Sequence, residues 1–78
     1  MRILGIDPGY AIMGWCVLDM KGNTFKPVDY GSITTDAGLE MPIRLQHLYS
    51  ELVFIIEKYK PEEAAVEELF FKIGRAHV

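Results

Sequence analysis

Two acidic residues stand at the points where two short apolar stretches end. Asp7 follows residues 3–6 and precedes Pro8-Gly9, and Glu67 directly follows residues 64–66. An apolar run without polar alternation is typical of a strand that is buried on both faces of a sheet. Ligands bind at the carboxyl ends of strands in open α/β sheets, so both carboxylates are candidates for chemistry. Asp7 alone leaves a second interpretation open, in which its side chain only caps the following turn.

The first half of the chain predicts three strands in close succession. We expect them at about Arg2–Asp7, Ile12–Asp19 and Thr24–Thr34, with a tight hairpin turn at residues 21–23. Apolar residues occupy both faces of the second strand, which is typical of an inner strand. Pro27 lacks a backbone donor, so the third strand belongs at an edge or carries a bulge. The pattern is that of an antiparallel meander.

The second half predicts one helix and a fourth strand, at about Glu63–Glu68. Pro42 suits the first turn of the helix, and the helix is expected to end near Lys60, before Pro61. Six apolar residues recur at helical spacing and form one stripe: Leu45, Leu48, Leu52, Ile55, Ile56 and Tyr59. A helix between two strands normally joins them as a right-handed parallel unit, so we expect the fourth strand beside the first.

This topology brings the two acidic residues together. The carboxyl ends of parallel neighbours lie side by side, so Asp7 and Glu67 are expected one strand spacing apart. Two carboxylates at that distance repel each other unless a cation or a proton lies between them. Hard oxygen ligands suit Mg²⁺ or Mn²⁺, which keep waters and bind substrate phosphates. The sequence therefore predicts a metal site at this edge.

Length and composition limit the classes of protein that fit. The chain has 78 residues, so it forms at most one small domain. No apolar run approaches the roughly 18 residues that cross a bilayer, and the N-terminus lacks the layout of a secretory signal, which predicts a cytoplasmic protein. The single cysteine excludes an internal disulfide. The net charge of −3 weighs against nucleic-acid binding, which needs clustered Lys and Arg.

Residues 73–78 show neither turn signals nor periodicity, and they resemble the translation of a sequencing-adapter oligonucleotide. We therefore expect residues 1–72 to be the native part of a single domain and residues 73–78 to be a non-native tail. A genuine short polar terminus is the alternative.

Several of these residues together resemble one known family. The opening Gly5-Ile6-Asp7-Pro8-Gly9 and the later Val66-Glu67-Glu68-Leu69-Phe70-Phe71 resemble the RuvC family of bacterial Holliday-junction resolvases. Asp29-Tyr30-Gly31, Arg44-Leu45 and Lys60-Pro61 are also similar to that family. The likeness spans residues 1–71. The first motif is moderately specific by itself, and the two motifs at this spacing are strongly specific.

The resemblance implies a ribonuclease-H-like fold and an endonuclease that resolves four-way DNA junctions. It implies Mg²⁺ as the cofactor, held by four carboxylates, of which Asp7 and Glu67 would be two. Metal ions held in this way stabilise the attacking water and the leaving oxygen of a phosphodiester. It also implies that Phe70 contacts DNA bases near the junction point by stacking, with ordinary core packing as the alternative. The implied partners are junction DNA, a second subunit in a homodimer and the RuvA-RuvB branch-migration complex.

The chain also departs from the family pattern. The other two acidic residues, a further strand and the later helices, including the helix on which family dimerisation relies, have no counterpart in the 78 residues. The chain then corresponds to the N-terminal half of the nuclease domain and carries half of an active site. We predict that it is inactive in this form.

Three other functions stay open on the sequence. Sugar-kinase and actin-like ATP-binding proteins open with a similar strand and turn, but they do not predict residues 67–71 after the first helix. A YqgF-type ribonuclease-H-like protein would carry a basic segment where residues 9–14 contain no Lys or Arg. The third is a truncated, partly folded product without a role, because four strands and one helix bury a limited core.

Overall fold

The structure is a computed structural model that describes residues 1–9, 12–66 and 69–73, with only the backbone of residues 69–72. These described residues form one mixed sheet and one helix. The elements in chain order are β1 (Arg2–Asp7), β2 (Ile12–Lys21), β3 (Thr24–Thr34), α1 (Met41–Tyr59), β4 (Glu63–Val66) and β5 (Leu69–Lys72). The strands lie in the order β3-β2-β1-β4-β5, so the apolar strand β1 is central, as its sequence predicts.

The strand directions confirm the predicted topology. The pairs β1–β2 and β2–β3 are antiparallel and form the expected meander. β4 pairs with β1 in parallel, from Ile3 opposite Glu63 to Ile6 opposite Val66. We call the end of the sheet where β1 and β4 finish, at Asp7 and Val66, the carboxyl edge, and the opposite end the amino edge.

Pro27 has the effect on β3 that the sequence predicts. β3 is an edge strand, and its register with β2 shifts where Val17 faces Asp29 and Leu18 faces Pro27. Val28 is thus the extra residue of a β-bulge. The outer position and the bulge together accommodate the missing N–H of proline.

The bounds of α1 agree with the prediction to within one residue. The preceding Glu40 provides no side-chain cap, and Pro42 lies in the first turn. After Tyr59, Lys60 adopts a left-handed conformation (φ 51°, ψ 53°), and its N–H donates to the Ile56 carbonyl at 2.8 Å. Within the described residues, no helix is long and apolar enough to cross a membrane.

The core lies between α1 and one face of the sheet. Leu4, Val17, Ile33 and Ile55 are buried and come from β1, β2, β3 and α1. Partly buried apolar residues surround them: Ile6, Met13, Trp15, Leu48, Leu52, Ile56, Tyr59 and Ala64. The apolar stripe predicted on the helix is therefore confirmed for five of its six members, that is, for all but Leu45.

Leu45 is 56% exposed and corrects that prediction. Ile55 is the helix residue at the centre of the core. At about 100° per residue, Leu45 lies roughly 80° from Ile55 around the helix axis, between Leu52 and Ile56, which both pack against the core. Its exposure therefore goes with its place near the start of α1, one turn before Leu48, because helical spacing does not show how far along a helix the packing extends.

Trp15 connects β2, β3 and α1. It lies opposite Gly31 of β3, and a Cβ atom on Gly31 would lie 3.0 Å from Cζ2 of the indole. The centroids of the Trp15 and Tyr59 rings are 6.0 Å apart. The Trp15 indole therefore packs against the backbone of Gly31, where the side chain of any other residue would come too close to the ring. Tyr59, the last residue of α1, lies beside the indole.

Tyr59 also fastens the end of α1 to β3. Its hydroxyl donates a hydrogen bond to Oδ2 of Asp29, while the Tyr30 N–H donates to Oδ1 at 2.8 Å. The hydrogen bond from Tyr59, followed by that from Tyr30, holds the pKa of the Asp29 carboxyl below its ordinary value. The hydrogen bond with Asp29 raises the pKa of the Tyr59 hydroxyl, and desolvation raises it further.

Arg2 joins three elements at the amino edge. Its guanidinium donates to both carboxylate oxygens of Asp19, at 2.8 and 3.1 Å, and to the Tyr59 carbonyl at 3.0 Å. The hydrogen bond from Arg2 lowers the pKa of the Asp19 carboxyl. These contacts tie β1 to β2 and to the C-terminal end of α1.

The last part of the sheet differs from the prediction. β4 spans Glu63–Val66, and residues 67–68, with which the predicted fourth strand ends, lie outside the described residues. Residues 69–72 form β5, which runs antiparallel to β4, so the described part of the chain has five strands in the sheet where four were expected. The outer edge of β4 offers unpaired backbone donors and acceptors, and an apolar segment that follows directly can pair with them. The predicted fold class, an α/β domain with a meander, a crossover helix and a parallel fourth strand, is confirmed.

Candidate metal-binding edge of the sheet

Asp7 is the last residue of β1, and its side chain is exposed at the carboxyl edge. Leu4 is buried against α1, so Gly5 and Asp7, which follow at odd spacing along the strand, point to the opposite face of the sheet. Asp7 lies opposite Gly14, where a Cβ atom would be 3.7 Å from the Asp7 Cβ. The position next to the carboxylate therefore carries no side chain.

A groove of about 440 Å³ adjoins Asp7. Its lining includes the small residues Gly5, Gly14, Cys16 and Ala65, which come from three adjacent strands. A Cβ atom on Gly5 would lie only 2.9 Å from the Cys16 Sγ, so the thiol occupies space that glycine leaves. The groove exists because these neighbouring positions carry small side chains, and Asp7 provides its carboxylate.

The second predicted ligand falls beyond the described part of the chain. The β1–β4 register extends to Ile6 opposite Val66, and Asp7 and Glu67 are the next residues in the sequence. Glu67 lies outside the described residues, so its place beside Asp7 stays a prediction. Phe70 lies in β5 opposite Ala65, but its side chain also falls outside the described part.

The described residues hold one of the predicted metal ligands. Among them, no group of three or more His, Cys, Asp and Glu side chains is placed so that it could hold a metal ion. An exposed carboxylate beside an open groove nevertheless fits Mg²⁺, which keeps several waters and is commonly bound by one or two carboxylates plus substrate phosphates. The Asp7 carboxylate is therefore compatible with binding a metal ion, and a metal site here needs further ligands.

Arg44 is a candidate functional residue whose role the sequence did not predict. Its Nε donates to Oγ1 of Thr35 at 3.3 Å, and Thr35 is 6% exposed. Arg44 also lines a cavity of about 260 Å³ together with Gly9, Met41 and Leu48. The sequence does carry a signal, because Arg44 is the only Lys or Arg between Lys26 and Lys58.

The meander, the crossover helix and the carboxylate at the end of the central strand define a ribonuclease-H-like domain, and solved structures agree. "Thermus thermophilus RuvC structure" matches with a TM-score of 0.75 and 22% identity, covering 85% of this chain and 44% of that one. "T. thermophilus RuvC in complex with Holliday junction substrate" matches with a TM-score of 0.78 and 24% identity, covering 96% and 48%. At these identities the likeness shows the fold.

Sequence comparison identifies the family. The family model described as crossover junction endodeoxyribonuclease RuvC matches residues 3–77. Curated relatives of that name are 52% identical in Brevibacillus brevis, 54% in Caldanaerobacter subterraneus and 55% in Chloroflexus aggregans, each over 71 residues. This chain belongs to the RuvC family, which confirms the resemblance seen in its motifs. The matches cover 91% of this chain but 43% of each relative, so the chain spans less than half of their length.

Proposed function

We propose that this chain supplies part of the catalytic edge of a crossover junction endodeoxyribonuclease, which resolves Holliday junctions in DNA recombination and repair. The observation that carries the proposal is Asp7 at the end of β1, beside the parallel strand β4, in a chain of the RuvC family. A Holliday junction is the substrate named for the T. thermophilus RuvC complex that shares this fold.

Asp7 and Glu67 are the residues that would hold the metal, with Mg²⁺ as the ion and Mn²⁺ as an alternative. When bound, the metal supplies an activated water and charge stabilisation at the leaving oxygen of the phosphodiester. Asp7 contributes a negative charge fixed by the last pairing of β1 with β2, at an exposed position that a DNA strand can approach. The groove beside it leaves room for hydrating water.

The family also supports a set of partners for the whole protein. We infer that it acts on four-way junction DNA as a homodimer in the cytoplasm, together with the RuvA-RuvB branch-migration complex, and that Phe70 contacts DNA bases. Two more carboxylates complete the site in this proposal, and residues 73–78 do not take part. The 78-residue chain is then inactive by itself.

Binding of Mn²⁺ tests the proposed role of Asp7. Paramagnetic Mn²⁺ added to the ¹⁵N-labelled chain should broaden the amide signals of Gly14 and of Asp7 itself, because these residues lie opposite each other. Excess Mg²⁺ should restore the signals. The Asp7→Asn variant should lose the effect, whereas Glu51→Gln, which changes an exposed carboxylate on α1, should keep it. Broadening that persists in Asp7→Asn would refute the metal assignment.

Cleavage of a labelled four-way junction tests the claim that the site is incomplete. The purified chain should give no Mg²⁺-dependent product. Cleavage that depends on Mg²⁺ and disappears in Asp7→Asn would show that these residues suffice for catalysis.

A further inference from the structure

β3 is an edge strand, so alternate residues direct their backbone N–H and C=O groups away from β2. Met1 and Met20 exchange both backbone hydrogen bonds, at 2.8 and 2.7 Å, so the even-numbered residues of β2 bond to β1 and the odd-numbered ones to β3. Those odd-numbered residues pair with Asp29, Gly31 and Ile33. The backbone groups of Tyr30, Ser32 and Thr34 therefore point outwards.

One half of this outer edge is closed by the sequence of β3. Pro27 has no N–H, and the bulge at Val28 interrupts the ladder, both of which are common ways to block an edge. The outward N–H of Tyr30 is also occupied, because it donates to Oδ1 of Asp29 at 2.8 Å. A further strand can therefore pair with β3 only from residue 30 onwards.

The other half, residues 30–34, is open. This segment contains no charged residue, and its Tyr, Ile and Thr are favoured in strands. The side chains of Ser32 and Thr34 are exposed, and Tyr30 is 78% exposed. An uncharged edge with outward backbone donors and acceptors is a template for pairing with another strand.

We propose that residues 30–34 pair with the same residues of a second copy of this chain, antiparallel and centred on Ser32. In this register Ser32 faces Ser32 and Tyr30 faces Thr34 of the second copy, so outward backbone groups meet outward backbone groups. None of these cross-strand pairs carries a charge, and an aromatic residue opposite a β-branched one is a favourable pair. A twofold axis thus makes the segment complementary to itself.

Neighbouring registers fit less well, which makes the proposed one specific. Moving the centre to residue 31 would place the bulge at Val28 opposite Thr34. Moving it to residue 33 would place the charged Asp36 opposite Tyr30. A register between these would bring outward backbone groups opposite inward ones.

The proposed contact is weak for three reasons. The Tyr30 N–H is held by Asp29, so each pair of Tyr30 with Thr34 keeps one of its two backbone hydrogen bonds. A single short strand on each side is smaller than the roughly 1,200 Å² of a stable interface. Each copy has a net charge of −3, so the copies repel each other. We expect a dissociation constant on the order of 1 mM, which falls when salt screens the charges.

This surface differs from that of the homodimer inferred for the whole protein. The RuvC resemblance assigns family dimerisation to a later helix that has no counterpart in the 78 residues. Antiparallel pairing also places the two carboxyl edges at opposite ends of the joined sheet. The contact therefore leaves Asp7 of each copy open, and it does not depend on the proposed function.

Nuclear magnetic resonance of the chain at increasing concentration tests the proposal. Between about 0.05 and 2 mM, which brackets the expected constant, the amide signals of Ser32 and Thr34 should move. Those of Gly31 and Ile33, which bond to β2, should move less. In a mixture of ¹³C-labelled and unlabelled chains, a filtered NOE should join the Tyr30 ring to the Thr34 methyl group. These residues are about 13 Å apart along one strand, so this signal can arise only between copies.

Two results would overturn the proposal. One is the absence of any concentration dependence up to about 2 mM. The other is association whose filtered NOEs join Leu18 and Phe25, because these residues lie on the face of the sheet opposite α1 and would show face-to-face packing instead. The wild-type chain alone decides between these results.

Charge variants measure the contribution of the edge. Ser32→Lys should weaken association by about fivefold or more, because it places two like charges opposite each other. Ser50→Lys adds the same charge at an exposed serine of α1 and should not weaken association. Ser32→Thr should associate like the wild type. If Ser32→Lys and Ser50→Lys associate equally well, pairing through this edge is refuted.

Discussion

Gly31→Ala should destabilise the fold by displacing Trp15. The new Cβ would lie 3.0 Å from Cζ2 and 3.1 Å from Cε2 and Nε1 of the indole. Carbon atoms prefer separations of about 3.5–4.0 Å, so the ring must move by roughly half an ångström or more. Tyr59 restricts that movement, because its ring centroid is 6.0 Å away and its hydroxyl is held by Asp29.

Two opposing effects determine how much Gly31→Ala lowers the free energy of unfolding. Overpacking a well-packed site costs about 1–3 kcal/mol. Replacing glycine by alanine lowers the conformational entropy of the unfolded chain and thereby stabilises the folded state by about 0.4–1 kcal/mol. We therefore expect a net loss of about 1–2 kcal/mol, which lowers the Tm of a domain of this size by roughly 4–16 °C.

Urea unfolding, followed by circular dichroism and by the fluorescence of the single tryptophan, measures this loss. Gly14→Ala is the matched control on β2, since the nearest atom to its new Cβ would be 3.7 Å away, an ordinary contact. Adding Trp15→Leu to Gly31→Ala should remove most of the penalty, with a coupling energy of about 1 kcal/mol. If Gly31→Ala is as stable as Gly14→Ala, the indole is not confined as described.

Two further predictions concern stability. Gly5→Ala should also destabilise the fold by about 1–3 kcal/mol, because its Cβ would lie 2.9 Å from the Cys16 Sγ. Adding Cys16→Ala should relieve this clash, so a double variant whose loss in urea midpoint equals the sum of the two single losses would contradict the prediction. Asp29 has a lowered pKa in the folded state, so it contributes stability above the ordinary carboxyl pKa of about 3.9 that is lost as the pH falls through the folded value. The difference in urea midpoint between wild type and Asp29→Asn should therefore shrink below about pH 4, and a difference that stays constant from pH 7 to pH 3 would refute the role of the Tyr59 hydrogen bond.

Local sequence patterns were sufficient for most of the fold. The apolar run of β1, the hairpin turn before β3, and Pro42 and Pro61 around α1 each act through neighbouring residues, and their elements lie where predicted. The right-handed crossover rule then determined that β4 returns beside β1. Asp7 could be chosen as a site residue because its position at a strand end follows from these local signals.

Pairing and packing decided the rest. Residues 69–72 form β5 because the outer edge of β4 is available for pairing. The local sequence of that segment does not predict this pairing. Leu45 has the right spacing for the core, yet it lies near the start of α1 and is exposed, while Leu48, one turn later, packs against the core.

The sequence by itself determined the order of the first four strands, the crossover and Asp7 as the carboxylate at the end of the central strand. Only the tertiary structure showed that Arg44 shares the carboxyl edge with Asp7 while the other described Lys and Arg residues lie towards the amino edge. It also showed that Gly31 makes room for Trp15 and that Tyr59 reaches Asp29. These contacts join residues that are distant along the chain, and their distances depend on how β3 and α1 pack, which the periodicity of a single element does not encode.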